Sequence, residues 1–127
     1  MPAAVRMLVV DDDPVILKLL RISFEMEGFE VLSAADGQEG LQRARSEHPD
    51  VVLSDVMMPR VDGLQLLAEL KADPATARLP VVLLSAKAQN AEVRQGLAMG
   101  ADDYVTKPFD PLELLDRVNA VLAKSRQ

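Results

Sequence analysis

Apolar runs and stretches with helical periodicity alternate along the whole chain. Residues 5–10, 51–54 and 80–85 are nearly continuous apolar runs, whereas 29–33 and 103–106 are shorter and more polar. A run without polar alternation suits a strand buried on both faces, as in a parallel sheet covered by helices. The two shorter runs belong at or toward the sheet edges. Residues 14–27, 37–46, 64–72, 88–99 and 111–124 carry the helical pattern. This order predicts an α/β fold with five parallel strands, in a single domain over residues 1–127 with its core at about 5–124.

The punctuation agrees with these elements. Asp13 before Pro14 and Asp110 before Pro111 each pair an N-cap with proline at the first helical position. Gly28 and Gly100 stand where left-handed C-terminal caps belong. In the first helix Ile16, Leu19, Leu20 and Phe24 are the expected core stripe, and Val15, Leu17, Ile22 and Met26 widen the apolar arc beyond it. That excess is expected to pack on a neighbouring helix, with a partner-docking face as the alternative.

Composition narrows the function. The 127 residues include no Cys and one His, which excludes a disulfide framework and a thiolate metal site and leaves too little imidazole for a His-rich zinc centre. A net charge of -6 with 3% aromatic residues argues against direct nucleic-acid binding by this chain. No apolar run approaches the length of a membrane span, and the N-terminus lacks the pattern of a signal peptide, so a cytosolic protein is expected.

In a parallel sheet the C-terminal strand ends share one edge, where ligands bind. Asp11, Asp12 and Asp13 follow the first strand, Asp55 the third, Ser85 the fourth and Lys107 the fifth. Two carboxylates about 5 Å apart repel by roughly 3 kcal/mol at an effective dielectric near 20, so the cluster calls for a cation. Oxygen ligands without thiolate or imidazole favour a hard divalent ion, Mg²⁺ above all with Mn²⁺ as its substitute. Metal, hydroxyl and ammonium around a carboxylate also describe a phosphoryl-transfer site.

Four motifs carry a resemblance. Val9-Val10-Asp11-Asp12-Asp13-Pro14, Ser54-Asp55-Val56-Met57-Met58-Pro59-Arg60-Val61-Asp62-Gly63, Leu84-Ser85-Ala86 and Gly100-Ala101-Asp102-Asp103-Tyr104-Val105-Thr106-Lys107-Pro108-Phe109 resemble the receiver domain of two-component response regulators. The likeness runs from about Met7 to Leu122. It implies a doubly wound, flavodoxin-like sheet in the order 2-1-3-4-5. It also implies a phosphorelay switch rather than a turnover enzyme, catalysing only its own phosphorylation and dephosphorylation. Asp55 would accept the phosphoryl group from a phosphohistidine on a sensor histidine kinase or a histidine phosphotransfer protein. Asp12, Asp55 and the Met57 carbonyl would bind Mg²⁺ directly, and Asp11 mainly through water. Lys107 would contact the phosphoryl group next to a cis Lys107–Pro108 bond, and Ser85 with Tyr104 would form the switch. In that switch the hydroxyl moves to the phosphoryl group and the ring swings inward. The surface altered would be the fourth helix, fifth strand and fifth helix, read by a downstream protein or an output domain. A phosphorylation-dependent homodimer is left open.

Departures from the family pattern are modest: Ser85 in place of a frequent threonine, and Arg60 where a small or neutral residue is common. Met57 and Lys87 occupy positions that tune phosphoryl lifetime in that family. Asp13 is otherwise a helix cap, Asp102 and Asp103 a solvated turn, His48 an exposed loop residue, Tyr104 a half-buried strand aromatic, and Met57-Met58 a loop followed by a core plug.

Asp11-Asp12-Asp13-Pro14-Val15 also fits the D-x-D-x-[TV] pattern of haloacid-dehalogenase-like, Mg²⁺-dependent phosphohydrolases. That class places its further acid pair after the lysine, whereas Asp102-Asp103 precede Lys107, and it leaves Asp55 unexplained. A flavodoxin-like flavin carrier would meet three aspartates where its phosphate must bind. The last predicted helix ends the sequence, so a stand-alone receiver and a piece of a DNA-binding regulator or hybrid kinase are both expected forms.

Overall fold

Five strands and five helices alternate through the residues that the computed structural model describes, 4–58, 61–86 and 90–125. They are β1 (Arg6–Val10), α1 (Pro14–Glu25), β2 (Glu30–Ala34), α2 (Gly37–Glu47), β3 (Val51–Asp55), α3 (Gly63–Ala72), β4 (Val81–Ser85), α4 (Asn90–Ala98), β5 (Asp103–Thr106) and α5 (Pro111–Ser125). The strands pair in parallel in the order β2-β1-β3-β4-β5. Every residue of β3 and β4 is buried, while the edge strands β2 and β5 keep partly exposed positions. The expected start of α4 at residue 88 lies outside the described residues.

Successive strand side chains point to opposite faces, and both faces are apolar. On one, Met7, Val9, Leu53, Leu84 and Val105 pack with Leu20 and Phe24 of α1 and with Leu114, Val118 and Leu122 of α5. On the other, Leu8, Val10, Val52, Leu83 and Tyr104 pack with Ala44 of α2 and with Leu66, Leu67 and Leu70 of α3. Each large aliphatic side chain so buried stabilises the fold by about 1.5–3 kcal/mol relative to exposure.

Aspartates start α1, α2, α3 and α5. Asp13 Oδ1 accepts the Val15 N–H at 2.9 Å, and Asp110 Oδ1 accepts the Leu112 N–H at 2.9 Å. Asp36 and Asp62 do the same for Glu39 and Gln65, each at 2.8 Å. Gly28 at φ 90° and Gly100 at φ 108° close the ends of α1 and α4 in the left-handed region that glycine adopts without steric cost. His48 is exposed and itself caps α2 at φ 50°.

The first helix corrects the expected core stripe. Leu17 packs against the core in place of Leu19, which is 42% exposed, and Val15, Ile22 and Met26 are 70%, 49% and 81% exposed. At about 100° per residue, Ile16, Leu17, Leu20 and Phe24 share one arc, whereas Val15, Leu19, Ile22 and Met26 fall on a second arc beside it. That second arc faces solvent rather than a neighbouring helix.

Asp102 and Asp103 are also more than a solvated turn. Asp102 Oδ2 accepts the Val81 N–H at 2.8 Å where β4 begins, and Asp103 lies in β5 with Arg117 of α5 at 3.0 Å. No helix among the described residues is long and apolar enough to cross a membrane.

Candidate functional site

The strand register brings distant polar residues together. Val10 pairs with Ser54, so the next residues, Asp11 and Asp55, leave adjacent strands side by side. Ser85 pairs with Thr106, which places Lys107 just beyond the end of β4. The Lys107 N–H then donates to the Ser85 carbonyl at 2.8 Å, and the Val56 N–H donates to the Leu84 carbonyl at 2.9 Å. These bonds tie the ends of β3, β4 and β5 into one rim.

Carboxylate oxygens of Asp11, Asp12 and Asp55 lie within 4.8 Å of one another. Asp11 and Asp55 are buried, at 1% and 6% exposure, while Asp12 is open to solvent. Asp11 is held on both oxygens: Oδ1 accepts the Asp13 N–H at 2.9 Å, and Oδ2 accepts from Lys107 Nζ at 3.0 Å. Lys107 Nζ also stands 3.4 Å from Asp55 Oδ1.

Electrostatics follows from this packing. Burial first, and then the Asp11 charge, push the Asp55 carboxyl above its ordinary range; Lys107 and the Met57 N–H oppose the shift without cancelling it. Burial alone would lower Lys107, but its hydrogen bond to Asp11 and the charges of both aspartates hold the ammonium above the usual lysine value. Three carboxylates against one ammonium leave the cluster two charges short of neutrality, which one divalent cation would supply. The donor set is all oxygen, with an exposed member open to water, and fits a hard divalent ion.

Ser85 is fully buried at the end of β4, beside Lys107. Tyr104 on β5 is 7% exposed, more deeply seated than a half-buried strand aromatic. It belongs to the same core cluster as Leu83 of β4, and α4 passes so close that a Cβ on Gly96 would be 3.1 Å from both Leu83 Cδ1 and Tyr104 Cδ2. The ring therefore already occupies an inward seat. Met57 is 53% exposed, and Met58 packs partly against the core as the expected plug. The Lys107–Pro108 bond is cis, as expected. Arg60 and Lys87 lie outside the described residues.

A family model described as the response regulator receiver domain matches residues 7–119. The chain belongs to that family. The receiver is 44% identical over 120 residues to the DNA-binding dual master transcriptional regulator RpaA of Synechocystis sp., covering 94% of this chain and 50% of RpaA. It is 41% identical to the alkaline phosphatase synthesis transcriptional regulatory protein PhoP of Bacillus subtilis, covering 94% and 49% of the respective chains. The receiver thus spans about half the length of these relatives. Among solved structures it is similar to a putative response regulator from Chloroflexus aurantiacus, with a TM-score of 0.91, 36% identity and coverage of 95% and 99%. The chemotaxis protein CheY4 of Vibrio cholerae matches with a TM-score of 0.89, 31% identity and coverage of 94% and 99%. The buried aspartate cluster fits the phosphorylation site of a receiver, and a phosphohydrolase is not favoured.

Sequence reasoning did not name two backbone features beside the site. The Met57 N–H after β3 partly offsets the raised Asp55 carboxyl, and the contact of Gly37 with Val61 joins α2 to the β3–α3 loop. Asp36-Gly37 reads as a helix start, which says nothing of what that start touches.

Proposed function

We propose that Asp55 is the phosphoacceptor and that Mg²⁺ binds Asp11, Asp12 and Asp55 together with the Met57 carbonyl. The convergence of Asp11, Asp12 and Asp55 around Lys107 carries this reading. Both Asp11 oxygens are engaged and Asp12 is exposed, which leaves Asp55 as the buried acid with a nucleophilic oxygen to offer. One Asp55 oxygen attacks the phosphorus of a phosphohistidine; the new O–P bond forms as the P–N bond breaks, and the imidazole nitrogen keeps the electron pair. Water later cleaves the O–P bond, releasing inorganic phosphate and restoring Asp55. When bound, the divalent ion neutralises charge on the transferring oxygens. Lys107 meets the same charge from the β5 side, and Ser85 donates its hydroxyl to the phosphoryl group.

The phosphodonor is a sensor histidine kinase or a histidine phosphotransfer protein in the cytosol. To reach Asp55 its body must cover the rim, and α1 leaves that rim directly after Asp12 and Asp13. The exposed apolar arc of Val15, Leu19 and Ile22 is the surface such a donor would bury. Ser85 and Tyr104 pass the charge change to α4, β5 and α5. Because RpaA is a DNA-binding regulator of which the receiver spans about half, the output is assigned to a DNA-binding domain in the same polypeptide.

The test is incubation with acetyl phosphate and Mg²⁺ followed by intact-mass measurement. Wild type should gain one phosphoryl group and Asp55→Asn none. The same stable adduct on both proteins would remove Asp55 from the role.

A further inference from the structure

We propose that Gly37, on a helix that lends no side chain to the site, is a positioning residue for the metal-binding edge. This rests on the reading that Asp11, Asp12 and Asp55 take up a divalent cation. The loop after β3 leaves Asp55, carries Met57 and returns to α3. Its two ends are tied by backbone bonds: the Val56 N–H to the Leu84 carbonyl at 2.9 Å, and the Gly63 N–H to the Val56 carbonyl at 3.0 Å. Between these ties Val61 is pressed against the first residue of α2. A Cβ on Gly37 would run into the Val61 carbonyl oxygen, and would lie 2.7 Å from Val61 Cγ1 and 2.8 Å from the Val61 carbonyl carbon.

Backbone is what such a Cβ would strike, and backbone cannot rotate aside as a side-chain end can. The helix itself is held in place, since Gly40 one turn on seats against Val10, with a Cβ there only 2.9 Å from Val10 Cγ2. A methyl group at position 37 must therefore displace the loop. Val61 is two residues from Gly63, whose N–H holds the Val56 carbonyl and whose Cα lies so close to β3 that a Cβ there would strike the Asp55 carbonyl oxygen. Through Val61, Gly37 thus sets where Asp55 and the Met57 carbonyl stand. Groups that orient ligands without touching the metal typically govern its affinity by about 10–100-fold.

Gly28→Ala is the matched control for lost stability alone. It strains the backbone at φ 90° with nothing within 4 Å of the added atom, and it sits between α1 and β2, away from the rim. The experiment measures the Mg²⁺ concentration that half-saturates each folded protein, by calorimetry, and in parallel the Mg²⁺ dependence of phosphoryl uptake from acetyl phosphate. Gly37→Ala should raise both concentrations by about tenfold, while Gly28→Ala stays within about twofold of wild type. Equal shifts in the two variants, or a shift under about twofold in Gly37→Ala, would overturn the positioning role. If Gly37→Ala does not fold, Val61→Gly decides: it removes the side-chain half of the seam and frees the backbone half, and should weaken Mg²⁺ binding by about threefold or more. Unchanged affinity in that variant overturns the proposal. Failure of wild type to bind Mg²⁺ would instead remove the reading of the cluster on which the proposal rests.

Discussion

The Lys107 ammonium stands 3.0 Å from the Asp11 carboxylate, although 96 residues separate them in the chain. The pair ties the ends of β1 and β5 across β3 and β4, with Asp55 3.4 Å away on the lysine's other side. Lys107 therefore holds two buried acids together before any phosphoryl group arrives.

Removing that ammonium should show first in stability. Lys107→Ala leaves Asp11 and Asp55 buried without their cation and should destabilise the metal-free protein by about 1–3 kcal/mol, since the lysine is partly solvated. Urea denaturation in EDTA and again in millimolar Mg²⁺ checks this, and the loss should shrink when Mg²⁺ is present. The same variant should accept phosphate yet fail to change the α4-β5-α5 surface, which amide chemical shifts report.

Asp55 should cost the metal-free fold stability at neutral pH. Its carboxyl is raised by burial and by the Asp11 charge, so the unfolded chain releases this proton at lower pH than the folded protein does. The cost is absent below the ordinary value of 3.8, grows as pH rises, and is complete above the raised folded value. Asp55→Asn should thus be more stable than wild type in EDTA at pH 7, with the advantage fading as pH falls toward 4. Lys107 is raised and stays charged throughout that window, so it adds no slope of its own. A constant advantage across pH would contradict the assignment.

Asp12 is exposed and holds no fold contact among the hydrogen bonds and ion pairs of the described residues, so its removal tests metal binding with little structural cost. Asp12→Ala should change folding stability by less than about 0.5 kcal/mol. It should weaken Mg²⁺ binding by at least about tenfold in calorimetry. Unaltered Mg²⁺ affinity would take Asp12 out of the ligand set.

The outer arc of α1 can be separated from the chemistry. Ile22→Glu places a charge on a residue already 49% exposed and should leave stability within about 0.5 kcal/mol. Phosphoryl transfer from a cognate kinase should slow by about tenfold or more, because a charge is desolvated in the docked complex. Uptake from acetyl phosphate should be unchanged. Equal rates from the kinase would move the docking surface elsewhere.

Much of this molecule is legible along the chain. Buried parallel strands announce themselves as unbroken apolar runs, and Asp13-Pro14 and Asp110-Pro111 mark helix starts because the cap and the fixed proline φ are local properties. The chemistry-bearing residues are legible too, since each ends or follows a strand. Leu19 shows the limit. Its apolarity fits either arc of α1, and the direction in which the helix meets the sheet puts Leu17 inside and leaves Leu19 out. Asp102 and Asp103 show it again: turn residues by composition, they are a strand-end acceptor and an ion-pair partner because β5 lies beside β4 and under α5.

From sequence alone came the elements, their order, the acids and lysine of the strand ends and, through four motifs, the family. Tertiary structure decided which of those groups meet. Register places Asp11 beside Asp55, packing brings Lys107 to both, and the approach of α2 sets Gly37 against Val61. Periodicity and caps depend on residues within a turn or two of one another, so they can be read locally. Contacts across 96 residues depend on how strands align and helices cross, which no local stretch contains.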